Sequence, residues 1–150
     1  MPELPLGCSR RGFTSGPALV FLHGFLGTKE DWNPLTDLLV EQFDIVTIDL
    51  PGHGESVDAP PELFRFDSCS RALTEVLDQL NIASYFLVGY SMGGRIALVH
   101  TIENPQQVRG LTLISAQAGL DSQSARLSRL AQDQQLVDKL IQSGIEEFVR

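Results

Sequence analysis

The sequence predicts a doubly wound α/β fold, in which a mostly parallel sheet carries helices on both faces. Four short runs are largely apolar rather than alternating, which is typical of strands that are buried on both faces. Stretches with apolar residues at helical spacing separate these runs, so strand and helix alternate along the chain. The predicted strands are "ALVFLH" (18–23), "DIVTID" (44–49), "SYFLVGY" (84–90) and "GLTLIS" (110–115).

Three stretches between the strands are predicted to form helices because their apolar residues recur at helical spacing. They are residues 29–43, 67–81 and 91–104. Asp67 or Ser68 is the expected cap of the second helix, and Pro105 lies just beyond the expected end of the third. The apolar positions expected to face the core in the first two helices are Trp32, Leu35, Leu38, Leu39, Ala72, Leu73, Val76, Leu77 and Leu80.

The two ends of the chain differ in character from this core. The first seventeen residues are expected to add an antiparallel hairpin at the sheet edge, around "GCSRRGFTSG". We interpret residues 1–120 as the N-terminal part of an α/β core and residues 121–150 as the start of a helical lid, which Gly144 interrupts. The alternative for the second segment is an ordinary amphipathic surface helix. Its apolar stripe consists of Leu127, Leu130, Leu136, Leu140 and Ile141.

Composition and charge narrow the classes of function. The chain has 150 residues, 43% of them hydrophobic and 20% charged, which is ordinary for one globular domain. A net charge of −8 argues against a nucleic-acid partner, although a few arginines can still bind an anionic ligand. No run approaches the roughly 20 apolar residues of a membrane span. Cys8 and Cys69 have neither disulfide nor metal-ligand spacing, so we expect free thiols in a reducing cytoplasm and no metal site.

The stretch "VGYSMGG" (88–94) places Ser91 where a predicted strand ends and a predicted helix begins. A G-x-S-x-G match in this context predicts a sharp turn that presents the serine hydroxyl at the carboxyl end of the sheet. Gly89 and Gly93 leave room in that turn, and Gly94 allows the helix to pack closely on the sheet. Ser91 is therefore the candidate catalytic residue.

Two further glycine-rich motifs follow predicted strands. In "FLHGFLG" (21–27) the glycines let the backbone turn toward the serine, so the amides of Phe25 and Met92 are expected to form an oxyanion hole. The stretch "DLPGHGES" (49–56) predicts a tight turn after the next strand. Three such motifs in this order, each at the end of a strand, favour catalysis over an ordinary loop serine.

These motifs resemble those of α/β-hydrolase-fold proteins. The resemblance extends to the synthases that make 2-succinyl-6-hydroxy-2,4-cyclohexadiene-1-carboxylate in menaquinone and phylloquinone biosynthesis. It covers the chain from about residue 18 to the end. Its most specific parts are Arg95, directly after "SMGG", and the "GL…AR…R" run after the fourth strand. The stretches that carry it are "FLHGFLGTKEDW", "IDLPGHGES", "LVGYSMGGRIAL" and "LISAQAGLDSQSARLSRLAQD".

The resemblance implies a lyase without a cofactor. In that family a ring proton is removed from a small polycarboxylate, pyruvate leaves and a diene forms, with the serine assisting proton abstraction. The family's arginines bind the substrate carboxylates, which implies substrate-binding roles here for Arg95, Arg126 and Arg129.

The resemblance also implies a histidine and an acid that follow the serine and complete a triad. No histidine follows His100, and we expect His23, His53 and His100 to be structural. The C-terminal strands and the triad's Asp and His are therefore expected to be absent from this chain, and the chain alone to be inactive.

Two other functions stay open at this point. One is a serine hydrolase that acts on a small ester or thioester with the same serine and oxyanion hole. The other is a binding protein without catalysis. The oligomeric state cannot be predicted from the sequence.

Overall fold

A computed structural model of the chain describes residues 4–149. These residues form a five-stranded sheet with the strand order β1-β3-β2-β4-β5. All neighbouring strands are parallel except β1 and β3, which are antiparallel. The doubly wound, mostly parallel sheet predicted from the sequence is therefore confirmed. The strands are β1 (Cys8–Gly12), β2 (Ala18–Leu22), β3 (Asp44–Ile48), β4 (Tyr85–Tyr90) and β5 (Val108–Ile114).

The central strand is β2, which pairs with β3 on one side and with β4 on the other. Ala18 lies opposite Asp44 in the first pair and opposite Tyr85 in the second. The chain leaves β2 toward β3 and then returns to β4 on the other side, so the strand order reverses next to β2. In open α/β sheets such a reversal opens a crevice at the carboxyl ends of the strands, where ligands bind.

The predicted antiparallel hairpin at the sheet edge is confirmed only as a single strand: β1 lies antiparallel at the edge and pairs with β3, and residues 4–17 contain no second strand. β3 and β4 already occupy both sides of β2, and β1 lies along the outer edge of β3. Arg10 on β1 donates two hydrogen bonds, of 2.9 and 2.7 Å, to the carboxylate of Asp44 at the start of β3. This bidentate pair supports the observed register.

Two helices cover one face of the sheet: α2 (Phe66–Gln79) and α3 (Met92–Glu103). The residues of α2 expected in the core are buried, except that Leu80 follows the helix and is partly buried. The predicted cap is wrong: the N-cap residue is Arg65, and its side chain makes no capping hydrogen bond. Because the helix begins at Phe66, Asp67 lies in the first turn, where its charge favours the positive end of the helix dipole.

The predicted helix over residues 29–43 is broken into short pieces. Lys29–Trp32 form a 3₁₀ helix and Asn33–Thr36 form the single turn of α1. After α1 the backbone forms turns in which an amide bonds to the carbonyl three residues earlier, as the Leu39 amide does to the Thr36 carbonyl (2.9 Å). The tighter turns move two predicted core residues to the surface, leaving Leu35 42% and Leu38 76% exposed.

The sheet is nevertheless covered on both faces, as predicted. Trp32 packs against Phe21 on the face opposite α2 and α3, with ring centroids 5.0 Å apart, and Ile45 joins them. Neighbouring side chains of a strand alternate between the two faces, so Val20 and Leu22 pack under the helices while Phe21 packs under Trp32.

The chain divides into two compact units, one ending at Ala116 and one beginning at Gln117. The second unit contains α4 (Gln123–Ser143) and α5 (Ile145–Phe148). The hydroxyl of Ser122 caps α4 by accepting the Ala125 amide (3.1 Å), and Gly144 ends it at a φ of +75°. That this unit is a lid stays a prediction.

Within residues 4–149, no helix has the length and hydrophobicity to cross a membrane. The same residues contain no group of three or more acidic, histidine or cysteine side chains placed to hold a metal ion.

A buried polar cluster around His100 joins three elements of the first unit. Its Nδ1 lies 3.0 Å from the hydroxyl of Ser70 on α2, and its Nε2 lies 2.5 Å from the hydroxyl of Tyr85 on β4. All three side chains are essentially inaccessible. Burial lowers the pKa of His100, so the neutral ring favoured there accepts a hydrogen bond from one hydroxyl and donates one to the other.

We predict that Tyr85→Phe lowers the free energy of unfolding by about 1–3 kcal/mol, because it leaves the buried Nε2 atom of His100 without its partner. Urea unfolding measures the change through the fluorescence of Trp32, the single tryptophan. Tyr90→Phe is the matched control, since the Tyr90 ring is 45% exposed. Equal stability of the two variants would contradict the prediction.

Candidate active site

Ser91 occupies a strained corner between β4 and α3. Its backbone lies at φ 51° and ψ −109°, outside the favoured regions for a residue with a side chain. Such a conformation costs about 1–3 kcal/mol and persists only when the surroundings enforce it. Here the Ser91 amide donates to the Ile114 carbonyl (2.9 Å), and the Ser91 carbonyl accepts the Arg95 amide (3.2 Å).

The glycines around this corner allow α3 to lie so close to the sheet that backbone atoms of the two are in contact. The Gly93 amide donates to the His23 carbonyl (3.1 Å), which ties the start of α3 to the end of β2. A Cβ atom on Gly93 would lie 2.4 Å from that carbonyl oxygen. One on Gly89 would lie 2.6 Å from the Gly93 carbonyl oxygen. The corner therefore exists in this form because these positions lack side chains.

The loop after β2 lies beside Ser91. A Cβ atom on Gly24 would lie 3.6 Å from the Ser91 Cβ and 2.7 Å from the Tyr90 ring. The amides of Phe25, in this loop, and of Met92, the first residue of α3, donate no hydrogen bond to any described residue. Both predicted oxyanion donors are thus free, and the loop that carries one of them packs against the serine corner.

The loops after β2 and β3 are joined by a buried ion pair that the sequence did not reveal. Lys29 Nζ lies 2.7 Å from Asp49 Oδ2, and the side chains of Lys29 and Asp49 are 8% and 0% exposed. The Asp49 carboxylate also accepts the amides of Lys29 (2.8 Å) and Glu55 (2.9 Å). Burial alone would raise the pKa of Asp49, but these hydrogen bonds hold it below its ordinary value.

None of the three histidines contacts the Ser91 hydroxyl. His100 belongs to the buried cluster under α2, and its ring bonds to Ser70 and Tyr85. His23 bonds to the Leu50 amide and the Gly24 carbonyl, and His53 to the Leu26 amide and the Pro51 carbonyl. The Ser91 hydroxyl therefore has no general base among the described residues.

The three predicted arginines have different surroundings. Arg95 is half-buried on α3, one turn from Ser91, and its guanidinium makes no hydrogen bond or ion pair with described residues. In the second unit, Arg126 donates to the Leu120 carbonyl (2.7 Å), and Arg129 pairs with Asp133 (2.7 Å). Of the three, Arg95 is thus the arginine whose guanidinium has no partner among the described residues, and it lies one helical turn from Ser91.

The chain matches a family of known proteins over most of its length. Residues 17–147 match the family described as alpha/beta hydrolase fold. The chain belongs to the alpha/beta hydrolase fold family. Within it, the strained serine, the two free amides and the glycine contacts lie at the reversal of strand order, where this architecture binds ligands.

Individual relatives and one solved structure are similar to this chain over nearly its whole length. A protein of Bacillus subtilis (strain 168), named putative 2-succinyl-6-hydroxy-2,4-cyclohexadiene-1-carboxylate synthase, is 37% identical over 140 residues, covering 92% of this chain and 50% of that protein. A protein of Yersinia pseudotuberculosis serotype O:1b (strain IP 31758), named 2-succinyl-6-hydroxy-2,4-cyclohexadiene-1-carboxylate synthase, is 37% identical over 136 residues, covering 90% of this chain and 49% of that protein. The structure of MenH from S. aureus superposes with a TM-score of 0.85 at 33% identity, covering 95% of this chain and 54% of that one. The chain spans about half the length of the curated relatives it matches.

We predict that Gly93→Ala lowers the free energy of unfolding by about 3 kcal/mol, the upper end of the usual cost of overpacking, because backbone atoms surround the added methyl group and cannot move aside. Gly110→Ala is the control, since its methyl would meet only the ring edge of Phe86. Urea unfolding of both variants tests the prediction. A Gly93→Ala chain that matches Gly110→Ala in stability would show that the close approach is wrong.

Proposed function

We propose that this chain supplies the serine, the oxyanion amides and the first substrate-binding arginine of a 2-succinyl-6-hydroxy-2,4-cyclohexadiene-1-carboxylate synthase, a carbon–oxygen lyase of quinone biosynthesis. The observation that carries the proposal is the strained Ser91 corner with two free amides, together with Arg95 one turn along α3, which has no partner among the described residues. The names of the Bacillus and Yersinia relatives support it.

The chemistry follows from the proposed substrate, 2-succinyl-5-enolpyruvyl-6-hydroxy-3-cyclohexene-1-carboxylate. The proton at ring carbon 2 lies next to the succinyl ketone and is removed as H⁺. The electron pair of that C–H bond forms the 2,3 double bond, the 3,4 double bond moves to positions 4 and 5, and the C5–O bond breaks. The leaving enolpyruvate takes up a proton and becomes pyruvate. Electrons stay within the substrate, so the reaction requires no redox cofactor.

Removal of that proton places negative charge on the ketone oxygen, as an enolate. Two converging amide donors stabilise such a charge more than the neutral ketone, and this difference lowers the barrier. Phe25 and Met92 are assigned this role because their amides are free and the loop that carries Phe25 packs beside Ser91.

Arginines suit this substrate because it carries three carboxylates. A guanidinium can hold a carboxylate through two parallel hydrogen bonds, which fixes orientation as well as charge. Arg95 is the strongest candidate, since it lies one turn from Ser91 and has no partner among residues 4–149. Arg126 and Arg129 are proposed from motif position, with Arg129 less favoured because Asp133 already neutralises it.

Ser91 acts in proton abstraction only when a base activates it, because a free hydroxyl is far too weak a base at neutral pH. The base that the proposal requires is not among the described residues. We therefore expect the 150-residue chain by itself to release no pyruvate.

A serine hydrolase of small esters is the alternative, because it would use the same serine and the same two amides. Arg95 favours the lyase. A polycarboxylate substrate would pair with its guanidinium one turn from Ser91, whereas an uncharged ester offers it no charged group to bind.

The test fuses this chain to the C-terminal half of the Bacillus relative and measures pyruvate release from the enolpyruvyl substrate. We predict turnover by the fusion, a loss of at least 100-fold with Ser91→Ala, and a raised KM with Arg95→Met. Arg71→Met, on the exposed side of α2, is the matched control, and the intact Bacillus protein is the positive control. Rapid cleavage of p-nitrophenyl esters without pyruvate release would favour the hydrolase instead. Pyruvate release by the unfused chain would contradict the need for an external base.

A further inference from the structure

The two peptide groups on either side of the Phe25 Cα atom are each held by a histidine ring. The Gly24 carbonyl lies 2.7 Å from His23 Nδ1, and the Leu26 amide lies 3.2 Å from His53 Nε2. The first of these peptide groups contains the Phe25 N–H itself. The direction of the proposed oxyanion donor therefore depends on two imidazoles.

The backbone of Leu50 and Pro51 fixes where each ring carries its proton. The Leu50 amide donates to His23 Nε2 (2.9 Å), so this nitrogen is unprotonated and the proton lies on Nδ1, facing the Gly24 carbonyl. The Pro51 carbonyl can only accept, so His53 Nδ1 (3.0 Å away) carries a proton and Nε2 accepts the Leu26 amide. Both rings are thus neutral Nδ1–H tautomers.

Because the peptide group is planar, the contact at the Gly24 carbonyl also fixes the Phe25 N–H in the same group. In a trans peptide the N–H points opposite to the C=O, so holding the Gly24 oxygen fixes the direction of the Phe25 N–H. The next peptide group is held through the Leu26 amide. Leu26 has a φ of +63°, which a leucine adopts only when contacts enforce it.

The surroundings favour this arrangement. His23 is 1% exposed, and its ring centroid lies 5.0 Å from that of His53. The Phe25 ring meets the His53 ring edge-on at 6.1 Å. Burial lowers the pKa of His23, which favours its neutral form, while the carboxylates of Asp31 and Asp49 act in the opposite direction.

We propose that His23 and His53 form an imidazole clamp that aims the Phe25 amide at the developing oxyanion, and that both are positioning residues of the site. They contact neither the substrate nor Ser91, and they act only through the two peptide groups. The catalytic use of the clamp rests on the function proposed above, whereas the clamp itself does not.

The first test uses the 150-residue chain and needs no activity. Imidazole ¹⁵N spectra at pH 7 are expected to show Nδ1–H tautomers for both His23 and His53. In His53→Leu the Leu26 amide is expected to exchange with solvent at least tenfold faster, while amides of β3 keep their protection. In His53→Gln the carboxamide oxygen replaces Nε2 and restores the slow exchange. Val57→Ala, an exposed change in the same loop, is the control.

The second test uses the active fusion. His53→Leu is expected to lower kcat at least tenfold with KM within twofold of the parent, and His53→Gln to recover most of the loss. If the unaltered fusion releases no pyruvate, the proposed function fails while the exchange data still decide the clamp. An Nε2–H tautomer of either ring, or a Leu26 amide equally protected in His53→Leu, would overturn the clamp.

Discussion

The close contact between the start of α3 and the end of β2 is the constraint on which the site depends. Gly93 donates to the His23 carbonyl, and no side chain fits between the two backbones. This contact holds α3 against the sheet, so the chain can pass from β4 into α3 only through the positive φ of Ser91. The strain at Ser91 is therefore the consequence of packing that the glycines permit, and it leaves the first amide of α3 free.

A second set of interactions fixes the loop that supplies the other amide. The loops after β2 and β3 are polar, yet they enclose an inaccessible carboxylate, a nearly inaccessible lysine and a buried histidine. Such groups are tolerated only when they are paired, since an unpaired charge in a buried site costs several kcal/mol, on the order of 3–5. Asp49 and His53, which follow β3, accept the amides of Lys29 and Leu26 in the loop after β2. His23, at the end of β2, accepts the amide of Leu50 after β3. Polar groups of each loop therefore bond to the backbone of the other. The same contacts that satisfy buried polar groups thus hold the loop geometry that the proposed catalysis requires.

The sequence predicted the parts of this structure that depend on local pattern. The parallel strands follow from apolar runs, and the serine corner from glycine spacing between a strand and a helix. The segment 29–43 was mispredicted because helical spacing does not reveal that the chain forms 3₁₀ turns there. The sequence indicated an antiparallel edge element near residues 7–16 but not its partner β3, because pairing depends on which strands already have neighbours on both sides. The Lys29–Asp49 pair and the histidine clamp link residues about 20 to 30 positions apart, and a pattern read along the chain does not show such contacts.

We propose that the free amides of Phe25 and Met92 bind one negatively charged oxygen. Titration of the ¹⁵N-labelled chain with formate, followed by amide NMR, measures this binding. Both amide resonances are expected to shift together with one apparent Kd, while the Leu26 amide, already bonded to His53, does not follow them. Two amides that respond with different Kd values, or a Leu26 amide that shifts as they do, would contradict it.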